Sequence, residues 1–129
     1  MTPLLLLLAF FQPPEEIRAK MLDLIGGLPE TRTALNARVT GAFDRPGYRV
    51  EKVIFDSLPG FHVTANLYIP TQGQPPFPAI LGVAGHSDNG KASATYQHAW
   101  ISFARRGYVV LAYDPPGQGE RIEYFDPDL

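Results

Sequence analysis

Residues 77–121 read FPAILGVAGHSDNGKASATYQHAWISFARRGYVVLAYDPPGQGER, and this stretch decides the fold. Residues 78–84 and 108–113 are continuous apolar runs, which are typical of strands covered on both faces. Between these runs, apolar residues recur at the spacing of one helix face: Tyr96, Ala99, Trp100 and Phe103. A strand, a helix and a second strand so close in sequence predict a right-handed unit with two parallel strands.

A polar loop containing glycine follows each predicted strand. Residues 85–91 (GHSDNGK) come after the first strand, and residues 114–121 (DPPGQGER) come after the second. Because ligands of open parallel sheets bind beyond the carboxyl ends of the strands, the topology predicts that both loops lie at the functional edge. Asp114 is expected to hold its own loop by accepting backbone N–H groups. Glu120 and Arg121 are expected to form a surface ion pair.

The chain before residue 77 predicts a larger sheet. Residues 48–56 and 61–69 have the composition or the alternation of strands, and the Pro-Gly turn between them predicts an antiparallel hairpin. Residues 28–47 are expected to be irregular, with a turn of helix near residues 32–36. A short helix is expected upstream of them, opened by the prolines at 13–14 and ended by two glycines.

The order of hairpin, buried strand, Gly-His loop, helix, buried strand and D-x-x-G-x-G resembles the N-terminal part of an α/β-hydrolase. The strings PGFHVTANLYIP, PAILGVAGHSDNGK and GYVVLAYDPPGQGER are similar to bacterial acetyl-xylan-esterase-like and related carbohydrate-esterase hydrolases. The resemblance covers about residues 45–121 and implies an α/β fold. The expected structure is a partial hydrolase sheet, in which an N-terminal antiparallel hairpin leads into a parallel βαβ unit, truncated before the nucleophile elbow.

The resemblance implies ester hydrolysis by a Ser-His-Asp triad, with a small ester or an acetylated sugar as the substrate and without a cofactor. It places one donor to the reacting oxyanion in the loop after the first buried strand. Matching without gaps assigns this donor to the backbone N–H of His86, and a slip of one residue assigns it to Ser87. Loss of one such donor typically slows the reaction by a factor of about a hundred to a thousand.

The triad itself is expected to lie outside these residues. The nearest string to a G-x-S-x-G elbow is GHSDN at 85–89, in which Asn89 replaces the second glycine. Ser87 as nucleophile remains an open but disfavoured alternative, because an elbow serine stands directly before its helix and residues 88–92 intervene here. His62 and His98 are the histidines left as its base. Asp114 is not the triad acid, which the family carries later in the chain.

Two functional classes follow from this pattern. The first is the N-terminal fragment of a serine ester hydrolase, which supplies the oxyanion loop and is inactive alone. The second is a non-catalytic binding or interaction module on a partial α/β-hydrolase scaffold. Without the elbow strand beside it, the strand at residues 79–84 is expected to leave a flat apolar edge, so the chain alone is expected to be poorly soluble, oligomeric through this edge, or molten.

Composition argues against several other classes. The net charge of −2 gives no electrostatic reason to expect nucleic acid. Three histidines, no cysteine and no H-x-x-x-H spacing argue against a metal site. Residues 117–119 (GQG) lack the third glycine of a dinucleotide fingerprint, and no helix-forming run follows them.

The first residues carry an apolar run at 4–8, which is too short to span a bilayer. It is compatible with the core of a secretory signal, although no Lys or Arg precedes it and no A-x-A site follows it. The expectation is therefore a secreted or periplasmic protein, with a cytoplasmic location left open. We divide the chain into a lead-in over residues 1–44 and the hydrolase part over residues 45–129.

Overall fold

The computed structural model describes residues 14–122 and divides the chain into two units between Arg32 and Thr33. The first unit contains helix α1 (Pro14–Leu24), which has two acidic residues in its first turn and is followed by two glycines with left-handed backbone angles. The leucine run and the question of its cleavage lie outside the described residues. Across residues 14–122, every helix is too short or too polar to cross a membrane.

The second unit is built on one mixed sheet of five strands. The strands are β1 (Arg38–Arg45), β2 (Tyr48–Leu58), β3 (Phe61–Pro70), β4 (Ala79–Val83) and β5 (Val109–Tyr113). Their order across the sheet is β1-β2-β3-β5-β4. Strands β1, β2, β3 and β5 pair antiparallel in turn, whereas β4 and β5 are parallel. The hairpin and the parallel pair predicted from the sequence are both confirmed.

Helix α2 (Ala94–Ala104) covers one face of this sheet. It follows a short 3-10 helix (Gly90–Ala92), and Gly107 ends it with a left-handed φ of 92° as predicted. Trp100 packs on Gly82 of β4, where a Cβ would lie 3.1 Å from the indole ring. The buried core under α2 is a set of strand and helix residues: Tyr48, Val50, Tyr68, Trp100, Ala104, Val110 and Ala112.

The start of α2 has no side-chain cap. Ser93 is the N-cap residue, but its side chain makes no capping hydrogen bond. The contacts at this end come from Gln97, whose backbone N–H donates to the Ser93 carbonyl at 2.9 Å and whose Nε2 donates to the Ala92 carbonyl at 2.6 Å. Gln97 therefore ties the first turn of α2 to the residues before it but does not cap the N–H groups of that turn.

Strand β1 occupies a region that the sequence predicted to be irregular. Its residues are mostly exposed, and Gly41 and charged side chains interrupt its apolar pattern. Pairing with β2 forms the strand, with Phe43 opposite Val50 and a register shift near Gly41. Sequence periodicity misses such a strand because the partner, rather than the strand's own burial, stabilises it.

The face of the sheet opposite α2 is exposed, which contradicts the expectation that β4 is covered on both faces. Leu81 is 63% exposed and Val83 is 58% exposed. We call this side the open face. It forms a concave apolar pocket with a volume of about 600 Å³. The pocket is lined by residues of β2 to β5, of the segment before β1 and of the segment after β5: Leu35, Ala37, Val53, Phe55, Ser57, Val63, Leu67, Leu81, Leu111, Tyr113 and Arg121.

Candidate functional site

Two loops lie together at the carboxyl ends of β4 and β5, where the topology predicted them. We call residues 84–93 the His86 loop and residues 114–121 the Asp114 loop. Backbone contacts join them directly, because the N–H of Gly119 donates to the carbonyl of Asp88 at 3.2 Å. The two most unusual segments of the sequence therefore form one structure at a single edge of the sheet.

Asp114 is the centre of this structure and is fully buried, with 0% exposure. Its Oδ1 accepts the backbone N–H of Lys91 at 2.8 Å. Its Oδ2 accepts the Thr64 hydroxyl at 2.8 Å and the Glu120 N–H at 3.2 Å. One carboxylate therefore joins β3 to both loops. The expectation that Asp114 would bind backbone N–H groups of its own loop is confirmed, and the contacts reach further than expected.

Lys91 provides the positive charge that keeps Asp114 ionised. Its Nζ forms an ion pair with Asp114 Oδ2, and only 4% of the residue is exposed. Burial by itself would raise the pKa of Asp114, but the hydrogen bonds from Lys91, Thr64 and Glu120 outweigh this effect and lower the pKa below its ordinary value. The carboxylate is therefore charged at neutral pH.

Sequence reasoning missed Lys91 as a functional residue, because a lysine in a polar loop is normally solvated. It also gave Glu120 the wrong partner. Glu120 Oε2 contacts Lys91 Nζ at 2.5 Å. Arg121 is buried at 4% exposure, with its guanidinium carbon 4.8 Å from the centre of the Phe61 ring and its Nη1 donating to the Asp114 carbonyl at 3.0 Å. The expected surface ion pair between Glu120 and Arg121 is wrong.

Two glycines make room for the Asp114 carboxylate. Gly90 and Gly119 both have left-handed backbone angles, with φ values of 50° and 60°. A Cβ at either position would overlap Oδ1 of Asp114. These positions therefore require glycine both for the backbone conformation and for the close approach of the buried carboxylate.

His86 and Ser87 lie on the side of the His86 loop that faces a cavity of about 560 Å³. Its walls come from this loop and from the start of α2: His86, Ser87, Asp88, Asn89, Ser93, Thr95 and Tyr96. The Ser87 N–H donates to Oε1 of Gln118 at 2.5 Å. Among residues 14–122, no acceptor forms a hydrogen bond with the His86 N–H.

His62 and His98 are the two histidines that the sequence left as a possible base for Ser87. His62 Nδ1 is 2.6 Å from Asp56 Oδ1, and Asn36 Nδ2 donates to the other oxygen of the same carboxylate at 2.8 Å. The contacts from Asn36 and His62 lower the pKa of Asp56. His98 is exposed on α2. In the described part of the chain, neither imidazole is hydrogen-bonded to Ser87.

Comparisons with known proteins show which proteins this chain is similar to. The family model for X-Pro dipeptidyl-peptidase (S15 family) matches residues 59–121. A structure from Bacteroides fragilis, assigned as an acetyl xylan esterase, is 27% identical with a TM-score of 0.66, and the match covers 83% of this chain and 31% of that one. No curated protein sequence matches the chain.

Two further solved structures share the fold at lower identity. An acetyl xylan esterase from a Thermoanaerobacterium species is 19% identical with a TM-score of 0.55, over 69% of this chain and 27% of that one. An acetyl xylan esterase from a Paenibacillus species is 21% identical with a TM-score of 0.55, over 80% of this chain and 30% of that one. The chain thus spans about a third of the length of these proteins. It has a partial α/β-hydrolase fold like that of acetyl xylan esterases, as its sequence implied.

Proposed function

We propose that this chain is the N-terminal part of a serine ester hydrolase and supplies its oxyanion loop. The His86 N–H is the donor in this proposal, and the Ser87 N–H is the alternative. The nucleophile, the base and the acid of the triad come from residues outside this chain. The substrate is a carboxylic ester, and an acetyl ester linked to a carbohydrate is the class that the similar structures suggest.

One observation carries the proposal. The loops that follow the two parallel strands are fixed to each other by a buried carboxylate, and beside them lies a cavity that His86 lines. A backbone N–H can stabilise a developing oxyanion only if the backbone is held before the reaction begins. The contacts of Asp114 with Lys91 and Glu120 provide such rigidity.

The hydrogen bond that the Ser87 N–H already makes supports His86 as the donor. The Ser87 N–H already has an acceptor in Gln118, at 2.5 Å. A substrate oxygen that used Ser87 would first have to displace this side chain. The His86 N–H has no such competitor in the described residues.

The experiment that tests the proposal begins with the nucleotide sequence after the codon for Leu129. An in-frame continuation that encodes G-x-S-x-G, followed by an Asp and a His, is expected. The complete polypeptide should then hydrolyse p-nitrophenyl acetate, and replacement of the elbow serine by alanine should abolish the activity. A stop codon directly after Leu129 in a stably folded chain would contradict the proposal.

Ester and amide substrates must be compared, because the matching family model describes peptidases whereas the similar structures are esterases. The complete polypeptide should cleave p-nitrophenyl acetate and leave an X-Pro p-nitroanilide intact. The chain of 129 residues alone should show no turnover above that of its Ser87→Ala variant. Turnover that disappears in this variant would make Ser87 a nucleophile.

A non-catalytic interaction module is the second candidate, and one observation favours it. On the open face, Leu81 and Val83 are more than half exposed, which suits an interaction surface. In this case the loops would keep their structure as a binding edge without any chemistry. The same sequencing and ester assay separate the two candidates, since the module predicts a folded chain with no hydrolytic continuation.

A further inference from the structure

We propose that Gln118 is a positioning residue for the oxyanion loop. It takes up the Ser87 N–H, holds the backbone beside His86, and so leaves the His86 N–H as the donor to a negatively charged oxygen. The inference rests on the proposed function, because it states how the same loop selects its donor. Gln118 touches neither substrate nor reacting atoms in this role.

The contact joins two distant parts of the sequence at the critical point of the loop. Ser87 N donates to Gln118 Oε1 at 2.5 Å across a separation of 31 residues, in a partly buried position. The carbonyl of the same residue accepts the Gly90 N–H at 2.9 Å. Both polar backbone groups of Ser87 are therefore occupied, which fixes the peptide that follows His86.

The backbone of Gln118 is itself held by the Asp114 loop. Its N–H donates to the Pro115 carbonyl at 3.3 Å, and its carbonyl accepts the Arg121 N–H at 3.0 Å. Gly117 N also donates to the Arg121 carbonyl, at 2.7 Å. These bonds close a tight turn with the glutamine near its tip. The backbone of Gln118 is therefore already ordered by its own turn, and only its side chain has to be fixed to bind Ser87.

Gln118 acts separately from the Asp114 contacts. Asp114 holds the His86 loop through the N–H and Nζ of Lys91, four residues beyond Ser87. Gln118 holds the same loop next to the proposed donor. Removal of the Gln118 acceptor should therefore loosen the backbone at Ser87 while the buried ion pair keeps the two loops together.

The first test measures the contact in the chain itself by amide hydrogen exchange. Gln118→Met keeps the length of the side chain and removes the acceptor, so Ser87 N–H exchange should accelerate by about tenfold, the effect of losing one hydrogen bond. Gln118→Glu keeps an acceptor oxygen and should retain the slow exchange. Gln72→Met is the matched control, because Gln72 is an exposed glutamine in the loop between β3 and β4 and belongs to neither of the two site loops.

The second test measures the kinetics of the complete hydrolase. Gln118→Met should lower kcat by about tenfold to a hundredfold, because a misplaced donor weakens the transition state more than substrate binding. The KM should change by less than about threefold, since the lost interaction belongs to the transition state. Gln72→Met should leave both constants unchanged.

Three results would overturn the positioning role. An unchanged kcat with faster Ser87 exchange would show that the contact is structural only. A higher kcat would show that Gln118 obstructs Ser87, which would then be the donor. Unchanged Ser87 exchange would show that the contact is absent in solution. A wild-type polypeptide without any esterase activity would instead refute the proposed function, and the exchange measurement distinguishes that failure from the others.

Discussion

The two faces of the sheet differ in how far they are covered. Under α2, Tyr68 and Val110 are almost completely buried, and the loops at the same edge share a buried carboxylate. On the open face, Leu81 and Val83 remain more than half exposed. The comparison indicates that the loops of the candidate site are fixed chiefly on the covered side, although Arg121 also lines the open face. The loops are fixed by contacts within this chain, whereas the open face needs something else to cover it.

The largest effect on stability is expected when the charge of Asp114, on the side of the sheet covered by α2, is removed. Asp114→Asn leaves the buried Lys91 cation without its closest counter-charge. Because the exposed Glu120 then remains as the partner of the buried Lys91 cation, the charge is only partly compensated, and the free energy of unfolding should fall by about 3 kcal/mol. Urea denaturation followed by circular dichroism measures this change. Asp44→Asn breaks only an exposed ion pair with Arg49 and should have little effect. Equal effects of the two substitutions would contradict the central role of Asp114.

A smaller effect is expected at the glycines of the Asp114 loop. Gly119→Ala and Gly117→Ala both place a side chain at a left-handed position, which costs about 1–2 kcal/mol. At Gly119 the new Cβ also overlaps Asp114, whereas at Gly117 nothing lies within 4 Å. Gly119→Ala should therefore destabilise the chain by about 1–3 kcal/mol more than Gly117→Ala. Thermal unfolding of both variants measures the difference, and identical melting temperatures would refute the close approach at Gly119.

Acid should act on the same carboxylate. The pKa of Asp114 is lowered in the folded chain, so its contribution to stability is complete above the ordinary value of about 3.9 and is lost as the pH falls through the lower folded value. The urea midpoint of the wild type should therefore drop steeply below about pH 4. Asp114→Asn should show a flatter dependence in this range. Parallel curves for the two proteins would show that other groups cause the acid sensitivity.

Substitutions on the open face should have the smallest effect on folding and the clearest effect on association. The chain alone should self-associate through Leu81 and the free edge of β4, so it should elute early in size-exclusion chromatography and bind a hydrophobic dye. Leu81→Lys should shift the chain towards the monomer. Val39→Lys replaces a similarly exposed residue of β1 and should leave the elution unchanged. A wild-type chain that elutes as a monomer and binds no dye would contradict this expectation.

Sequence reasoning predicted the parts of the fold that depend on local patterns. The hairpin of β2 and β3, the parallel pair of β4 and β5 and the helix between them are marked by strand-like composition or alternation, by continuous apolar runs and by helical spacing, respectively. Gly107 has the left-handed angle that its position after a helix indicated. These features were accessible because each one leaves its mark within a few neighbouring residues.

The parts that failed depend on distant partners. Strand β1 forms by pairing with β2, and its own residues are too polar to predict it. Lys91 is buried because Asp114 lies against it, 23 residues later in the sequence. The identity of the oxyanion donor also depends on a distant partner, since only the folded chain shows that Gln118 reaches Ser87. Our assignment of His86 therefore stays a prediction that the kinetic experiment tests.

The position of β5 between β3 and β4 has a consequence for the nascent chain. Strand β4 is synthesised first, yet in the described sheet it pairs with β5. About 30 residues separate the ends of the two strands, which corresponds to roughly two to six seconds of translation at ~5–20 residues per second. During this interval the apolar strand β4 has no β5 with which to pair. The speed of elongation through α2 therefore sets how long chaperones must shield β4.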